Sequence, residues 1–505
     1  MEYLIGIDIG TSGIKSIIID RNGKVLGSKT AELRLSIPKP IWAEQNPEDW
    51  WNGTGDTLRE VIKETNVNPE DIKGIGLSGQ MHSLVIIDKN KKVLRPAILW
   101  CDNRTTPQRE WITEKVGLEN LKRLVSNPPL EGFTAPKIIW VRDNEPHIYE
   151  KIDKILLAKD YIRFHLTGEI ATEVSDAAGT VLFDVKKREW SEDILNLLDI
   201  PKEYLPPCFE SIDVIGRINK ETSELTGLKK GTPVVGGGAD NPCAAVGNGI
   251  VREGRVQSSI GTSGTVVAHI DSVKVDPDMR VHTFCHTVPE KWYLMGVVLQ
   301  AGGSLRWFRD TLGKEEIEIA KSEGTDPYDL LCQKAEKVPI GADGLIFLPY
   351  LSGERTPHQD GRARGALVGL TLTHQREHLI RAVFEGITFA MRDSIEIMRE
   401  LGVEVSQVRA TGGGAKNSFW IKMQADVFNT EVVTISSGEG PAFGAALLAG
   451  TGAGIYSDVA EAADEIIKPV ETCEPDPANS KIYEEFYNIF KETYPSLKDI
   501  YSKIP

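Results

Sequence analysis

The sequence predicts an α/β protein of two domains with a ligand-binding cleft between them. At 505 residues the chain is too long for a single hydrophobic core. A short apolar strand, a Gly-Thr-Ser-Gly turn and a second strand occur at the start of the chain, and the same pattern occurs again near its middle. This weak internal repeat, one copy in each half, predicts two related domains that meet at a cleft.

The two turns are Gly10–Gly13 and Gly261–Gly264, and an acid lies near each of them. Asp8 belongs to the strand before the first turn, and Asp240 follows a short strand that begins at Thr232. Consecutive backbone N–H groups in such turns form an anion-binding concavity, and small residues let a phosphate group approach closely. Two ordinary hairpins with glycine turns are the alternative. A pair of turns, each with a nearby acid, favours phosphate binding.

In the first half, Asn46-Pro47-Glu48 predicts a helix start because it combines a cap, a proline and an acid. The strand Ile72–Leu77 runs into a polar segment that contains His82. Polar groups at strand ends face ligands in open α/β sheets, so His82 is a candidate substrate contact; a histidine buried inside the fold is the alternative. The segment Pro201–Gly227 is rich in proline and is predicted to be irregular.

In the second half, Arg376–Leu401 is the clearest helix, because its apolar residues recur at i, i+3 and i+4 and Gly402 follows it. The strand Val408–Thr411 runs into Gly412–Ser418, where a helix begins. A strand, three glycines and a helix N-terminus favour a nucleotide site over a plain tight turn. No G-x-x-x-x-G-K-[ST] motif occurs, which excludes a P-loop enzyme. The polar loop Ser352–His358 is either functional or a surface excursion.

Composition excludes several classes of protein. The formal net charge of −15 argues against a nucleic-acid binder, which would carry a basic face. Six cysteines are scattered without a C-x-x-C motif, as is typical of a cytoplasmic protein with reduced thiols. The first residues are predicted to form a strand and do not have the pattern of a signal peptide, and no apolar run is long enough to span a membrane. We therefore expect neither nucleic acid nor a membrane as a partner.

Two long segments resemble the signatures of the FGGY carbohydrate kinases. They are Phe133-Thr-Ala-Pro-Lys-Ile-Ile-Trp-Val-Arg-Asp-Asn144, and Gly365-Ala-Leu-Val-Gly-Leu370 continued through His378-Leu-Ile-Arg-Ala-Val-Phe-Glu385. The resemblance covers essentially the whole chain. It implies the two-domain actin, hexokinase and Hsp70-like ATPase architecture, a ribonuclease H-like α/β fold with a central cleft. It also implies a sugar-binding domain over residues 1–248, a nucleotide-binding domain over residues 249–505, ATP and Mg²⁺ as cofactors, and a homodimer.

The same resemblance implies roles for particular residues. Asp240 would be the general base that takes the proton of the sugar's primary hydroxyl, and Asp8 would lie beside Mg²⁺ and the transferred phosphoryl group. The sugar site would be lined by Met81, His82, Asp240 and Asn241. The phosphates would be held by Thr11 and Ser12 and by Gly261, Thr262 and Ser263, and the nucleoside by Gly412, Gly413, Gly414, Lys416 and Asn417.

The sugar is predicted from a closer resemblance within the family. Gly79–His82, Leu99–Arg104, Gly237–Asn241 and Met295–Phe308 resemble the members that phosphorylate D-xylulose to D-xylulose 5-phosphate. Ser83 departs from the usual Met-His-Gly, and Met-His-Ser is shown by gluconate kinases of the family. Gluconate, L-ribulose or another polyol therefore stays open as the substrate, and Arg104 is a candidate partner for an anionic sugar. An actin- or Hsp70-like ATPase without sugar kinase activity is less favoured, because the sugar-kinase signatures are complete.

Overall fold

The computed structural model describes residues 1–436 and 438–504, which form two mixed β-sheets flanked by helices. The strands before residue 240 are β1 (Tyr3–Ile9), β2 (Gly13–Asp20), β3 (Val25–Glu32), β4 (Glu44–Gln45), β5 (Ile72–Gly79), β6 (Val85–Ile87), β7 (Ala97–Ile98), β8 (Lys154–Leu156), β9 (Thr172–Glu173), β10 (Phe183–Asp184), β11 (Glu189–Trp190), β12 (Cys208–Phe209), β13 (Val214–Arg217), β14 (Pro233–Val235) and β15 (Gly238–Ala239). The helices that begin by residue 240 are α1 (Pro47–Thr65), α2 (Thr106–Val116), α3 (Leu118–Val125), α4 (Thr134–Asn144), α5 (Pro146–Tyr149), α6 (Ala158–Thr167), α7 (Val174–Ala178), α8 (Glu192–Leu198), α9 (Lys220–Thr226) and α10 (Asp240–Gly247).

The remaining elements follow residue 250. Their strands are β16 (Gly254–Ile260), β17 (Gly264–Ile270), β18 (His282–Cys285), β19 (Trp292–Val298), β20 (Ile346–Leu348), β21 (Ala366–Val368), β22 (Val405–Gly412), β23 (Glu431–Ile435) and β24 (Pro469–Cys473). Their helices are α11 (Gly302–Leu312), α12 (Lys314–Glu323), α13 (Pro327–Glu336), α14 (Arg376–Glu400), α15 (Ser418–Phe428), α16 (Gly440–Gly452), α17 (Val459–Ile466) and α18 (Pro477–Tyr501).

The two large sheets have the same topology. The first has the order β13-β14-β5-β1-β2-β3, with β15 also paired to β5; the second has the order β18-β19-β17-β16-β22-β23-β24. In each sheet, an antiparallel hairpin leads into parallel pairing with a later strand: β1 pairs with β2 and β5, and β16 pairs with β17 and β22. The predicted repeat of strand, glycine turn and strand is therefore the opening hairpin of each sheet, and the predicted α/β class is confirmed.

Helices α10 and α16 connect the two halves through close backbone contacts. A side chain at Gly444 of α16 would lie 1.8 Å from the carbonyl oxygen of Cys243 in α10. On the first sheet, side chains at Gly6 and Gly76 would lie 1.8 and 1.9 Å from carbonyl oxygens of α16. Glycine is required at such positions because any Cβ would collide with the backbone. Helix α16, from the second half, thus covers the first sheet, and a domain boundary after residue 248 stays a prediction.

The sequence pattern predicted helix α14 correctly, but its prediction of irregular structure for Pro201–Gly227 was wrong. Helix α14 spans Arg376–Glu400, one residue shorter than predicted, and its apolar stripe lies in the core. The segment predicted to be irregular instead contains β13, an edge strand of the first sheet, and α9. The prediction was wrong because β13 is short and half-exposed, and it is stabilised mainly by pairing with β14. Among the described residues, no helix is both long and apolar enough to cross a membrane.

Candidate active site

Parallel pairing brings the two predicted acids to one edge of the first sheet. Strands β1 and β15 pair with opposite sides of β5, so that Asp8 and Gly238 are both in register with Ser78. Asp240 follows β15 directly, as the first residue of α10. Because the carboxyl ends of parallel strands meet at the same edge, these carboxylates face the same cleft.

The carboxyl group of Asp240 has the pKa expected of a general base near neutral pH. Burial first, and then the negative charge of Asp8, raise its pKa to about 7. The backbone N–H and the side-chain amide of Asn241 donate to Asp240 Oδ1 at 2.8 and 3.0 Å and partly oppose that shift. A base whose pKa lies near the working pH combines adequate ionisation with adequate proton affinity.

Asp8 has the properties of a cation ligand. Burial raises its pKa to about 6, while the neighbouring Ser78 hydroxyl and the charge of Lys15 act in the opposite direction. Asp8 Oδ1 is buried and has no hydrogen-bond partner within the described residues. A buried carboxylate oxygen without a partner is costly, and a second acid close by increases the local negative charge. The residues therefore fit an oxygen-coordinated divalent cation such as Mg²⁺.

His82 is held as a neutral imidazole beside the acids. Its Nδ1 donates to the carbonyl oxygen of Gly179 at 2.6 Å, which leaves Nε2 as a hydrogen-bond acceptor. Burial first, then the charge of Lys137, holds its pKa well below the usual value. The ring stacks on Phe133 at 4.1 Å, and its backbone φ of 67° lies in the left-handed region. A non-glycine residue in this conformation is strained and is typical of functional sites.

Contacts around His82 hold the sugar-site residues in place. Lys137 Nζ and Thr134 Oγ1, both in α4, donate to the carbonyl oxygen of His82 at 2.9 and 3.2 Å. Asn241 Nδ2 lies 3.7 Å from the sulfur of Met81, which precedes His82. The predicted sugar contacts Met81, His82, Asp240 and Asn241 thus lie together, and their role in binding stays a prediction.

Arg104 is engaged by other groups of the first half. Its guanidinium contacts Asp102 Oδ2 at 2.7 Å and Glu44 Oε1 at 2.8 Å, and it stacks 3.6 Å from the ring centre of Trp42. Its side chain is only 1% exposed. Two carboxylates therefore offset its charge, which weakens the case for Arg104 as the partner of an anionic sugar.

The first turn, Gly10–Gly13, is fixed by side-chain hydrogen bonds. Thr11 Oγ1 donates to Gln80 at 3.1 Å and accepts from the indole of Trp100 at 2.8 Å. Gln45 Nε2 donates to the backbone oxygen of Thr11 at 2.8 Å. Because the Thr11 hydroxyl is already occupied, any phosphate contact from Thr11 and Ser12 would come mainly from backbone N–H groups.

The second turn, Gly261–Gly264, is fixed by the start of α11. The backbone N–H groups of Gly302 and Gly303 donate to the carbonyl oxygens of Gly261 and Thr262, each at 2.9 Å. Arg306 Nη2 donates to Thr262 Oγ1 at 3.1 Å. Residues Gly261, Thr262 and Ser263 are exposed, so this turn is accessible to a ligand.

A cavity of about 480 Å³ connects Asp240 to the glycine-rich segment after β22. It is lined by Asp240 and Asn241 on one side and by Thr411, Gly412 and Lys416 on the other. A second cavity of about 270 Å³ shares Lys416 and extends to the second turn, with Asn417, Trp420, Tyr328 and Asp329 among its lining residues. The two cavities place the predicted base at one end and the predicted nucleoside segment at the other.

The glycine-rich segment has a backbone that other residues could not adopt. Gly412 has φ of 72°, and a Cβ there would lie 2.6 Å from the backbone oxygen of Ile260. Asn417 caps α15 and donates through Nδ2 to Asp329 at 3.0 Å. Lys416 is exposed and makes no ion pair with any residue that the structure describes, so its ammonium group faces the cavities unpaired. The residues between Gly412 and Lys416, Gly413–Ala415, form a short 3₁₀ turn.

Several residues around the site were not predicted from the sequence. Phe133 stacks on His82, and Gly179 fixes its tautomer. The loop Ser352–His358, left undecided from sequence, is tied to β19: Thr356 Oγ1 and Glu354 Oε1 accept from the backbone N–H groups of Val297 and Leu299 at 3.0 and 2.9 Å. No local pattern could have revealed these contacts, because each joins segments far apart along the chain.

Two mixed sheets that share a topology, a glycine turn on each and an acid pair at one edge of the first sheet are typical of a phosphotransferase of the two-domain α/β ATPase class. Models of the N-terminal and C-terminal domains of the FGGY carbohydrate kinases match residues 3–247 and 256–453. The chain belongs to the FGGY family of carbohydrate kinases. It is an ATP-using phosphotransferase with an alcohol group as acceptor.

Individual relatives agree with this assignment. A xylulose kinase of Bacillus subtilis is 44% identical over 500 residues, covering 99% of this chain and 98% of that protein. A gluconokinase of the same species is 32% identical, covering 100% of this chain and 98% of that protein. The solved structure of a ligand-bound xylulose kinase from Lactobacillus acidophilus is 28% identical, with a TM-score of 0.93 and coverage of 100% of both chains.

Proposed function

We propose that this enzyme transfers the γ-phosphoryl group of ATP to the primary hydroxyl of D-xylulose, which yields ADP and D-xylulose 5-phosphate. The 480 Å³ cavity carries the chemical part of the proposal, because it joins Asp240 to the segment around Gly412 and Lys416. Phosphoryl transfer depends mainly on positioning the acceptor in line with the phosphate and on stabilising the developing charge.

In the proposed mechanism, Asp240 accepts the proton of the acceptor hydroxyl as its oxygen attacks phosphorus. A pKa of about 7 lets Asp240 be ionised near neutral pH and still take up that proton. His82 Nε2 accepts a hydrogen bond from another sugar hydroxyl, and Asn241 keeps the Asp240 carboxyl oriented through its amide. The two glycine turns hold the phosphates of ATP, and the segment from Gly412 to Asn417, which includes Lys416, holds its nucleoside.

Mg²⁺ is the second part of the proposal, with Asp8 as its protein ligand. The unpartnered Oδ1 of Asp8 supports this assignment. The cation would offset the charge of the phosphates beside two carboxylates. A cation bound to Asp8 would lie close to Asp240, because both acids lie at the same edge of the first sheet.

D-xylulose is preferred over gluconate as the acceptor for two reasons. The xylulose kinase of Bacillus subtilis is more similar to this chain than the gluconokinase of the same species, at 44% against 32% identity. Arg104, the cation considered for an anionic sugar, is neutralised by Asp102 and Glu44. Ser83 is then a tolerated variation rather than a determinant of the sugar.

The test is ADP release from MgATP by the purified protein with D-xylulose, D-gluconate, L-ribulose or glycerol. We expect kcat/KM to be highest for D-xylulose. Higher kcat/KM for gluconate would replace the proposed sugar, and ATP turnover that ignores every sugar would point to an ATPase. Formation of D-xylulose 5-phosphate is checked by mass spectrometry.

We further propose that the protein works as a homodimer in the reducing cytoplasm. The six cysteines are all free in the structure, which suits a reducing compartment. Light scattering coupled to gel filtration measures the assembly directly, and a monomer at micromolar concentration would contradict the dimer.

A further inference from the structure

A cavity of about 340 Å³ in the second half of the molecule has more cations than acids in its wall. It shares no lining residue with the 480 Å³ cavity that contains Asp240, so it is a separate site. In a chain whose formal net charge is −15, such a local excess of positive charge indicates an anionic ligand. The charged residues of the wall are Arg255, Arg409 and Lys468 on one side of the balance and Glu253 and Asp464 on the other.

Arg409, in β22, is the least exposed of these cations, and no carboxylate of the described residues forms an ion pair with it. The residue is only 3% exposed. Its Nε donates to Gln407 Oε1 at 3.1 Å, and its Nη1 donates to the carbonyl oxygen of Asn248 at 2.8 Å. Nη2 makes no hydrogen bond with the part of the chain that the structure describes and is not enclosed by protein, so it is open to the cavity. A buried cation without a counterion is costly, and an anion in the cavity would remove that cost.

The surroundings of Arg409 disfavour its charge. Burial first, and then the positive charge of Arg255, lower the pKa of Arg409 to about 10. The guanidinium group is still protonated at neutral pH, so its charge must be tolerated within the fold. An anion beside it would oppose both the burial and the repulsion from Arg255.

The two acids of the wall are engaged by other groups. Asp464 Oδ2 contacts Arg252 at 2.6 Å, and Oδ1 contacts Arg255, so both of its carboxyl oxygens are paired with arginines. Glu253 is exposed, and its Oε1 accepts from the backbone N–H of Asp271 at 3.1 Å. Neither carboxylate is therefore available to offset the buried arginine.

Lys468 supplies a second charge without a carboxylate partner. Its Nζ donates to the backbone oxygen of Asp464 at 2.7 Å and forms no ion pair with any residue that the structure describes. The guanidinium of Arg409 is held in place, because a Cβ at Gly249 would lie 2.0 Å from its Nη1. A fixed, planar guanidinium suits phosphate oxygens, and a lysine ammonium adds an adaptable point charge.

We propose that this cavity binds a phosphate group, either as free phosphate or as part of a small phosphorylated metabolite. Arg409 Nη2 and Lys468 Nζ donate to the phosphate oxygens, and Arg255 adds positive charge while it stays paired with Asp464. The cavity is large enough for a small organic group attached to the phosphate, because ligand sites begin at about 300 Å³. The inference does not depend on which sugar the enzyme phosphorylates.

The test is isothermal titration calorimetry of the purified enzyme with inorganic phosphate and with D-ribose 5-phosphate. A saturating non-hydrolysable ATP analogue with Mg²⁺ is present, so that the two glycine turns are occupied. We expect at least one of the two compounds to bind with Kd below about 5 mM. Tighter binding of D-ribose 5-phosphate would identify a phosphorylated metabolite as the ligand, and equal or weaker binding would identify free phosphate.

Three variants locate the binding. Arg409→Gln removes the buried charge and can keep a hydrogen bond to the Asn248 carbonyl; we expect Kd to rise at least about tenfold. Lys468→Gln removes the charge at the rim, and we expect a rise of at least about threefold. Lys481→Gln is the matched control, because this exposed lysine of α18 makes no ion pair with a described residue and does not line the cavity; its Kd should equal that of the wild type.

The melting temperature of each variant without phosphate verifies that it folds. Lys468→Gln keeps the inference testable if Arg409→Gln does not fold, because Lys468 is exposed. The inference is overturned if neither compound binds the wild type with Kd below about 5 mM. It is also overturned if the folded Arg409 and Lys468 variants bind as tightly as Lys481→Gln, since the anion would then lie elsewhere.

Discussion

Replacing Asp240 by Asn tests the proposed base directly. Asparagine keeps the size of the side chain and its hydrogen bonds to Asn241, but it cannot accept the proton of the sugar hydroxyl. General-base assistance is worth about 10²–10⁴-fold in rate, and we expect kcat to fall within that range. MgADP affinity should stay within about twofold, because the predicted nucleoside contacts around Gly412 belong to another segment.

The pKa of Asp240 adds a second, quantitative expectation. With a pKa of about 7, about one-tenth of the Asp240 carboxyl groups are ionised at pH 6, about half at pH 7 and about nine-tenths at pH 8. The wild-type rate should therefore rise about fivefold from pH 6 to 7 and less than about twofold from pH 7 to 8. A cation bound beside Asp8 would move this rise to lower pH, because a positive charge favours the carboxylate form.

The assay is steady-state ADP release with saturating MgATP from pH 5.5 to 9, for the wild type, Asp240→Asn and Asp393→Asn. Asp393 is a matched control, because burial raises its pKa to about 7 as well, while its carboxyl group bonds to Tyr487 at 2.8 Å in the core of the second half. Asp240→Asn should lose the acid limb of the profile, and Asp393→Asn should keep it. Near-wild-type kcat in Asp240→Asn, or a retained limb, would remove Asp240 from the mechanism.

Three further results are expected. Gly412→Ala should weaken MgADP binding at least about tenfold, because Gly412 has a positive φ and a Cβ there would lie 2.6 Å from the Ile260 oxygen, so the segment must move. The control is Gly361→Ala, where a Cβ meets no atom within 4 Å. Equal MgADP affinities of the two variants, measured by calorimetry, would contradict this reasoning. Lys159→Met should lower the free energy of unfolding, measured by urea denaturation, by about 3–5 kcal/mol, because it leaves the buried carboxylates of Asp160, Glu173 and Asp176 without their shared cation. A loss below about 1 kcal/mol would show that these buried charges do not depend on Lys159. Because the two phosphate turns lie in different halves, D-xylulose with a nucleotide should reduce the radius of gyration in small-angle scattering, and an unchanged radius would argue against closure.

Much of the fold was predictable because its signals are local. The helix α14 follows from a continuous apolar stripe, and both glycine turns follow from adjacent residues that permit a tight reversal. The segment Pro201–Gly227 was not predictable in the same way. Its strand β13 is half-exposed, and the antiparallel partner β14 decides its conformation.

The candidate site was predictable only in its chemical composition. Asp8, Asp240 and the glycine-rich segment were identified as residue types that suit phosphate chemistry at strand ends. Arg104 shows the limit of such reasoning, because an arginine near a polar segment looks free until Asp102 and Glu44 are seen to contact it. The roles of Asp8, Asp240 and the glycine-rich segment, like the domain boundary after residue 248, stay predictions.

The family, the repeated hairpins and the candidate acids could be identified without a structure, because each has a signal in neighbouring residues of the chain. Tertiary structure decided the protonation state of those acids, since the pKa of Asp240 depends on burial and on Asp8, a residue from the other end of the first half. It also decided which polar groups were left without partners. Asp8 looks ordinary in sequence, and only the packing around β1 and its partner β5 leaves the Oδ1 atom of Asp8 buried without a hydrogen-bond partner among the described residues.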